Sequence, residues 1–272
     1  MGQFDFDISA WPALPSARGL FITGTDTAVG KTLIAGAIAR SLCRSGTHGQ
    51  DAQAGGAEVF KPVASGCRRV SGTLISEDTE FLAWAGDSSR PLAEITPVRY
   101  TQPVAPNVAA ARSDRPVDLD AIFAQYAELA AGLDGRAIIV EGVGGLLCPI
   151  TDDFWVIHLA KLMNLPLVIV AHATLGTINH TLLTIHAARS AGLRVAGVVI
   201  NRYQNTPADS DAAVPMQTNP QQIAQRGRVQ VLTLVPDEQA NSVPNATIGP
   251  DTQFVIDQVD WDKLIATGCS AK

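Results

Sequence analysis

Nine residues, Gly24-Thr25-Asp26-Thr27-Ala28-Val29-Gly30-Lys31-Thr32, constrain this chain more than any other stretch. Before them, Gly19–Thr23 (GLFIT) reads as a short buried strand, and after them 33–42 (LIAGAIARSL) reads as a helix. A tight turn of small residues that delivers Gly-Lys-Thr to a helix start is a phosphate cradle. Backbone N–H groups and the helix dipole face the anion, the lysine adds a charge, and the threonine hydroxyl can ligate magnesium. The strict pattern places glycine where Thr25 stands, and Gly24 lies one residue early. The loop is therefore a variant of the phosphate-binding loop.

A loop of this kind needs a parallel sheet to present it. Apolar, β-branched runs recur at 19–23, 57–63 (AEVFKPV), 137–141 (AIIVE), 165–171 (LPLVIVA), 195–200 (VAGVVI) and 229–235 (VQVLTLV). They are continuously apolar rather than alternating, as expected of strands covered on both faces. Between them, Leu119, Ile122, Phe123, Tyr126, Leu129 and Leu133 mark one buried face of a helix over 118–133. A further helix is expected over 179–191, closed by Gly192. The order predicts a doubly wound α/β fold with a mostly parallel sheet flanked by helices. Residues 19–240 form one domain in this reading, with extensions at 1–18 and 241–272. Residues 46–56 and 205–228 read as loops, the latter with a weak helical patch at 220–226, and the apolar run FVIDQVDW near the C-terminus as an extra strand or a packing arm.

Composition sets limits. The formal net charge of −6 argues against a broad nucleic-acid or anionic-membrane surface, so a phosphate site must be local. No apolar run reaches the roughly 18 residues that span a bilayer, and residues 1–18 lack a basic leader, so a cytoplasmic chain is expected. The four cysteines and five histidines do not fall at metal-ligand spacing, and Cys43 and Cys148 read as buried reduced thiols.

A phosphate cradle implies a divalent cation, which needs carboxylates at strand ends. Glu141 ends AIIVE and precedes the turn Gly142-Val143-Gly144-Gly145. Lys61 and Ser65 lie in Phe60-Lys61-Pro62-Val63-Ala64-Ser65-Gly66, at the ligand end of the second strand. Asp78, in Ser76-Glu77-Asp78-Thr79, reads by itself as a helix-capping acid.

Taken in order, GTDTAVGKT, FKPVASG, VEGVGG and GTINHTLLT resemble the dethiobiotin synthetase family, over residues 19 to about 240. Tyr100-Thr101 and Arg115-Pro116 are further landmarks. The resemblance implies an ATP-dependent cyclo-ligase acting on 7,8-diaminononanoate and CO2, with magnesium held by Thr32, Asp78 and Glu141. It implies that Ala28, Val29, Gly30, Lys31, Thr32 and Leu33 wrap the phosphates, and that Asp78 and Glu141 to Gly144, through Gly142 and Val143, line the nucleotide. Lys61 matches the catalytic lysine, with Lys31 and Thr25 beside it, and Ser65 and Thr25 match substrate positions. Asn201 and Arg202 match the base-reading segment, and Pro236, Asp237 and Glu238 flank the base. Gly176, Thr177, Ile178 and Asn179 match a helix start that binds substrate carboxylate from the neighbouring subunit, so a homodimer is implied. Two positions depart: Ala28 replaces an acid seen in some members, and Arg202 stands where an aspartate can. The competing readings are a dimerising ATPase switch that positions macromolecules, a related amide-forming ligase of cofactor biosynthesis, and a degenerate paralogue that binds nucleotide without turnover.

Overall fold

The computed structural model describes residues 6–45, 56–204 and 213–266. Its centre is a sheet of β1 (Gly19–Gly24), β2 (Ala57–Phe60), β3 (Ala137–Gly145), β4 (Leu167–His172), β5 (Val195–Tyr203) and β6 (Val231–Pro236). The spatial order is β6-β5-β4-β1-β3-β2, and every neighbouring pair is parallel. Side chains alternate between two apolar layers. Phe21, Ile138 and Ile169 face one layer, whereas Leu20, Ile139 and Val168 face the other. Burial on both faces explains why these strands read as unbroken apolar runs. The doubly wound α/β expectation holds.

The principal helices are α1 (Lys31–Ser45), α2 (Glu77–Ala85), α3 (Leu119–Ala131), α4 (Val156–Met163), α5 (Thr177–Ser190), α6 (Ala213–Gly227), α7 (Pro250–Asp257) and α8 (Trp261–Ala266). Asp118 caps α3 by accepting from the Ala121 N–H at 2.8 Å. Because α1 and α4 lie in opposite layers, the connections leaving β1 and β3 part to opposite faces. A crevice opens where they part, the usual ligand position in such sheets.

Several boundaries differ from the sequence reading. The run 57–63 is not one strand. Pro62 has no N–H for a ladder, the Lys61 N–H turns to the Ile95 carbonyl at 2.9 Å, and Val63–Ala64 pairs with Val98–Arg99 in a separate small sheet. The strand expected to end at Glu141 continues to Gly145, with a register shift where it passes Ile22 and Gly24. The weak patch at 220–226 belongs to the longer helix α6, and residues 46–55 and 205–212 lie outside the described residues. Of the two readings of the C-terminal apolar run, the strand does not form and the packing arm does, as parts of α7 and α8 that bury Ile256, Trp261 and Ile265 in the layer that holds α1. At the other end, Phe6, Ile8, Trp11 and Leu14 cover the opposite layer, with Trp11 edge-on to Phe154 at 4.7 Å. Cys43 and Cys148 are half-buried rather than buried, Cys67 is buried, and all three are free thiols.

Candidate active site

The loop after β1 is held open by its neighbours. The Thr25 N–H donates to the Val170 carbonyl at 3.0 Å, tying the loop to β4. Asn201, at the end of β5, donates from Nδ2 to the Val29 carbonyl at 2.9 Å. Gly30 is required twice over. Its φ of +95° is a glycine conformation, and a Cβ there would lie 2.0 Å from Asn201 Nδ2. Ala28 also has a positive φ, 61°, without glycine's freedom. Ala28→Gly is expected to stabilise the fold by about 1 kcal/mol, read as a higher urea midpoint at unchanged slope.

Opposite the loop, three elements bring charge together. Lys61, just beyond β2, is only 4% exposed. Its Nζ lies 2.7 Å from Asp78 Oδ2 on α2 and 2.8 Å from Glu141 Oε1 on β3. Thr32, in the first turn of α1, donates its hydroxyl to the same Glu141 oxygen at 2.8 Å. Lys31 Nζ donates to the Asp26 carbonyl at 2.9 Å, across the mouth of the loop.

Burial is the largest influence on each of these groups. It raises the Glu141 carboxyl above its ordinary value, and Lys61 offsets only part of that. Burial would also raise Asp78, but the charge and hydrogen bond of Lys61, helped by Thr32, hold it below the ordinary value. For Lys61, burial is outweighed by the two carboxylates, so its ammonium is held more firmly than usual. Lys31 is shifted down by burial.

Asp78 is not the helix cap. Ser76 fills that place, accepting from the Thr79 N–H at 3.3 Å, which frees Asp78 in the first turn to face Lys61. Glu141 Oε2 is buried and has no hydrogen-bond partner. Among the described residues, no three His, Cys, Asp or Glu side chains converge as a self-sufficient metal cage. Two carboxylates and a hydroxyl fit a hard cation that takes its other ligands from phosphate and water, as magnesium does.

These groups line a cavity of about 780 Å³. Ala28, Gly30, Lys31, Thr32 and Leu33 form one wall, and Lys61, Ser65 and Asp78 another. Glu141, Gly142, Val143 and Gly144 make the floor, and Asn201, Arg202, Pro236, Asp237 and Glu238 the far end. Thr25 and Val29 support the loop from behind and are not lining residues. Gly176, Thr177, Ile178 and Asn179 also lie apart from this cavity, at the start of α5. The sequence reading missed Thr27, Pro103–Ala105, Cys148 and Asn241–Pro244 in the lining. Pro103–Ala105 begin two residues after Thr101 of the Tyr100-Thr101 landmark, which is the signal in the sequence that marks them.

Glu238 lines the far end of the cavity as expected, while its carboxylate oxygens hydrogen-bond elsewhere. Its Oε2 accepts from the Thr252 N–H at 2.8 Å and its Oε1 from the Asp251 N–H at 3.4 Å. The carboxylate is committed to the start of α7, where an anion is favoured, rather than offered to the cavity. Arg202 lies 3.4 Å from His172 Nε2. Burial first, and the Arg202 charge second, push His172 below its ordinary 6.5. A histidine so depressed contributes stability above its unfolded value, and that contribution is lost as pH falls through the folded value. Arg202→Ala is expected to move the His172 titration upward in an NMR pH series, while burial keeps it under 6.5. An unmoved titration would show that Arg202 does not act on the ring.

Residues 18–244 match the family model described as an AAA domain. The chain is 35% identical over 219 residues to an ATP-dependent dethiobiotin synthetase of Bacillus subtilis (strain 168), covering 80% of this chain and 87% of that protein. It is 40% identical over 223 residues to the enzyme of the same name from Anaeromyxobacter sp. (strain K), covering 81% and 91%. A third, from Anaeromyxobacter dehalogenans (strain 2CP-1 / ATCC BAA-258), is 41% identical over 223 residues, with the same coverage. Among solved structures, the MinD cell division protein of Aquifex aeolicus superposes with a TM-score of 0.51 at 13% identity, over 94% of this chain and 98% of that one. That likeness concerns the fold alone.

Proposed function

The chain belongs to the ATP-dependent dethiobiotin synthetase family, and from that membership we propose how its crevice works. The protein is an ATP-dependent ligase that forms dethiobiotin in biotin biosynthesis. The substrates are 7,8-diaminononanoate, CO2 and ATP. One substrate amine adds CO2 and loses a proton, giving a carbamate. A carbamate oxygen attacks the γ-phosphorus and displaces ADP, giving a carbamic–phosphoric anhydride. The second amine then attacks the carbonyl carbon, releasing phosphate and closing the ureido ring.

No step needs a protein nucleophile. The difficulty is electrostatic, because a carbamate anion must approach a triphosphate. Lys61 and Lys31 offset that repulsion from opposite walls, and the loop N–H groups hold the phosphate chain in line. Magnesium, held by Thr32, Asp78 and Glu141, would supply further charge neutralisation at the phosphate oxygens. Ser65, beside Lys61 on the same wall, is the substrate contact in this reading. Asn201 and Pro236 face the base.

The observation that carries this assignment is Lys61 itself, a lysine just beyond the second strand that lies between two carboxylates in the cavity that Lys31 also lines. The test is ADP release with and without the diamine and bicarbonate, with mass-spectrometric detection of dethiobiotin. Stimulation by the diamine is expected. Stimulation by DNA or lipid instead would select the positioning ATPase.

A homodimer is part of the proposal. Asn179 is exposed at the start of α5, and neighbouring Leu175 is 91% exposed, which supports a role for this helix start in the site of a second copy. Light scattering checks it, a dimeric mass being the expected result. Among the described residues, no helix is long and apolar enough to cross a membrane.

A further inference from the structure

The base end of the cavity is formed by the loop after β6, and that loop is laced to α7. Besides the two Glu238 contacts, Asn241 Oδ1 accepts from the Gly249 N–H at 2.8 Å. Asn241 Nδ2 reaches the Thr252 hydroxyl at 2.8 Å. Thr252 is fully buried. Gly249 leaves room for the Glu238 carboxylate, since a Cβ there would fall 2.0 Å from Glu238 Cδ. Between these anchors the loop doubles back on itself, with Ser242 and Thr247 exchanging backbone hydrogen bonds of 3.0 and 2.9 Å. Helix α7 is in turn bolted to the phosphate-loop helix, because Gln253 Nε2 donates to the Ala37 carbonyl of α1 at 3.2 Å.

We infer that Glu238 and Asn241 are positioning residues that fix the base-binding loop relative to the phosphate loop, through α7 and α1. The inference rests on the reading that ATP occupies this crevice with its base beyond Asn201. Neither side chain needs to touch the nucleotide. Each satisfies backbone N–H groups at the start of α7, which have no partner within the helix. Cutting the lace frees the Pro236–Pro244 segment while leaving the phosphate half of the site intact.

The test compares two probes on the full-length protein with Mg2+: the non-hydrolysable nucleotide AMPPNP and inorganic tripolyphosphate, which lacks the base. Glu238→Ala is expected to weaken AMPPNP about tenfold and to leave tripolyphosphate within about twofold. KM for ATP rises correspondingly while kcat holds. Glu238→Gln recovers most of the affinity, because its amide oxygen still accepts from Thr252. If Glu238→Ala does not fold, Asn241→Ala decides the same comparison. Equal weakening of both probes, or unchanged AMPPNP affinity, overturns the lace alone. An unaltered protein that binds AMPPNP no better than tripolyphosphate overturns the base-site reading, and the lace with it.

Discussion

Lys61→Ala is expected to lower kcat for dethiobiotin formation at least about 100-fold, the cost of losing one preorganised donor at a developing charge, about 2.7 kcal/mol or more. The lysine is nearly fully buried between Asp78 and Glu141, so solvent does not replace its charge. The variant also leaves two carboxylates facing each other without their shared cation, one of them already hard to ionise because it is buried. Its unfolding midpoint in the absence of metal should therefore fall, and added Mg2+ should restore more of that midpoint than it adds to the unaltered protein. Steady-state turnover near the normal rate would sink the catalytic assignment.

Glu141→Gln should be nearly as damaging, by a different route. The amide keeps the shape and can still accept from the Thr32 hydroxyl, but it cannot carry the charge that a hard cation requires. Turnover is expected to drop at least about 100-fold, within the several kcal/mol a bound metal supplies to phosphoryl transfer. The sharper readout is binding. Mg2+ should strengthen AMPPNP binding to the unaltered protein and add little in the variant. A variant that keeps the full magnesium response would remove Glu141 from the metal site. Fold stability should change less than activity, because Lys61 keeps Asp78 as its partner.

Residues whose role follows from local chemistry were legible in the chain. The loop from Gly24 to Thr32, the six strands and the helix capped by Asp118 each carry a local pattern, and each is present where that pattern lies, though the ends of several strands differ from the expected bounds. Roles decided by distant partners were less so. Asp78 resembles a cap until Ser76 is seen to fill that place. Glu238 lines the cavity, but that its carboxylate accepts from the Thr252 N–H was not legible, because the residues of the donating helix read as a strand or arm. The apolar run FVIDQVDW belongs to helices whose inward face includes Thr252, Gln253 and Ile256, while Phe254 is left 64% exposed. The break at Pro62 was visible in principle, since proline cannot donate to a ladder. What it does there, sending Lys61 to the crevice and Val63 to a second small sheet, depends on the Ile95 carbonyl and on Val98.

At the phosphate-loop end the crevice balances its own charge, Lys31 and Lys61 against Asp78 and Glu141, with Thr32 neutral beside them. A set closed in this way offers little net field to a visitor of either sign. A divalent cation arriving alone must evict Lys61 from both carboxylates, and a bare polyphosphate arriving alone meets those carboxylates unmasked. Arriving together, each would supply what the other lacks: a cation held by Asp78 and Glu141 would take over the countercharge that Lys61 now provides, leaving the ammonium available to the anion. The expected result of such an arrangement is a coincidence requirement: calorimetry should find weak uptake of either ligand separately and tighter uptake of each in the presence of the other.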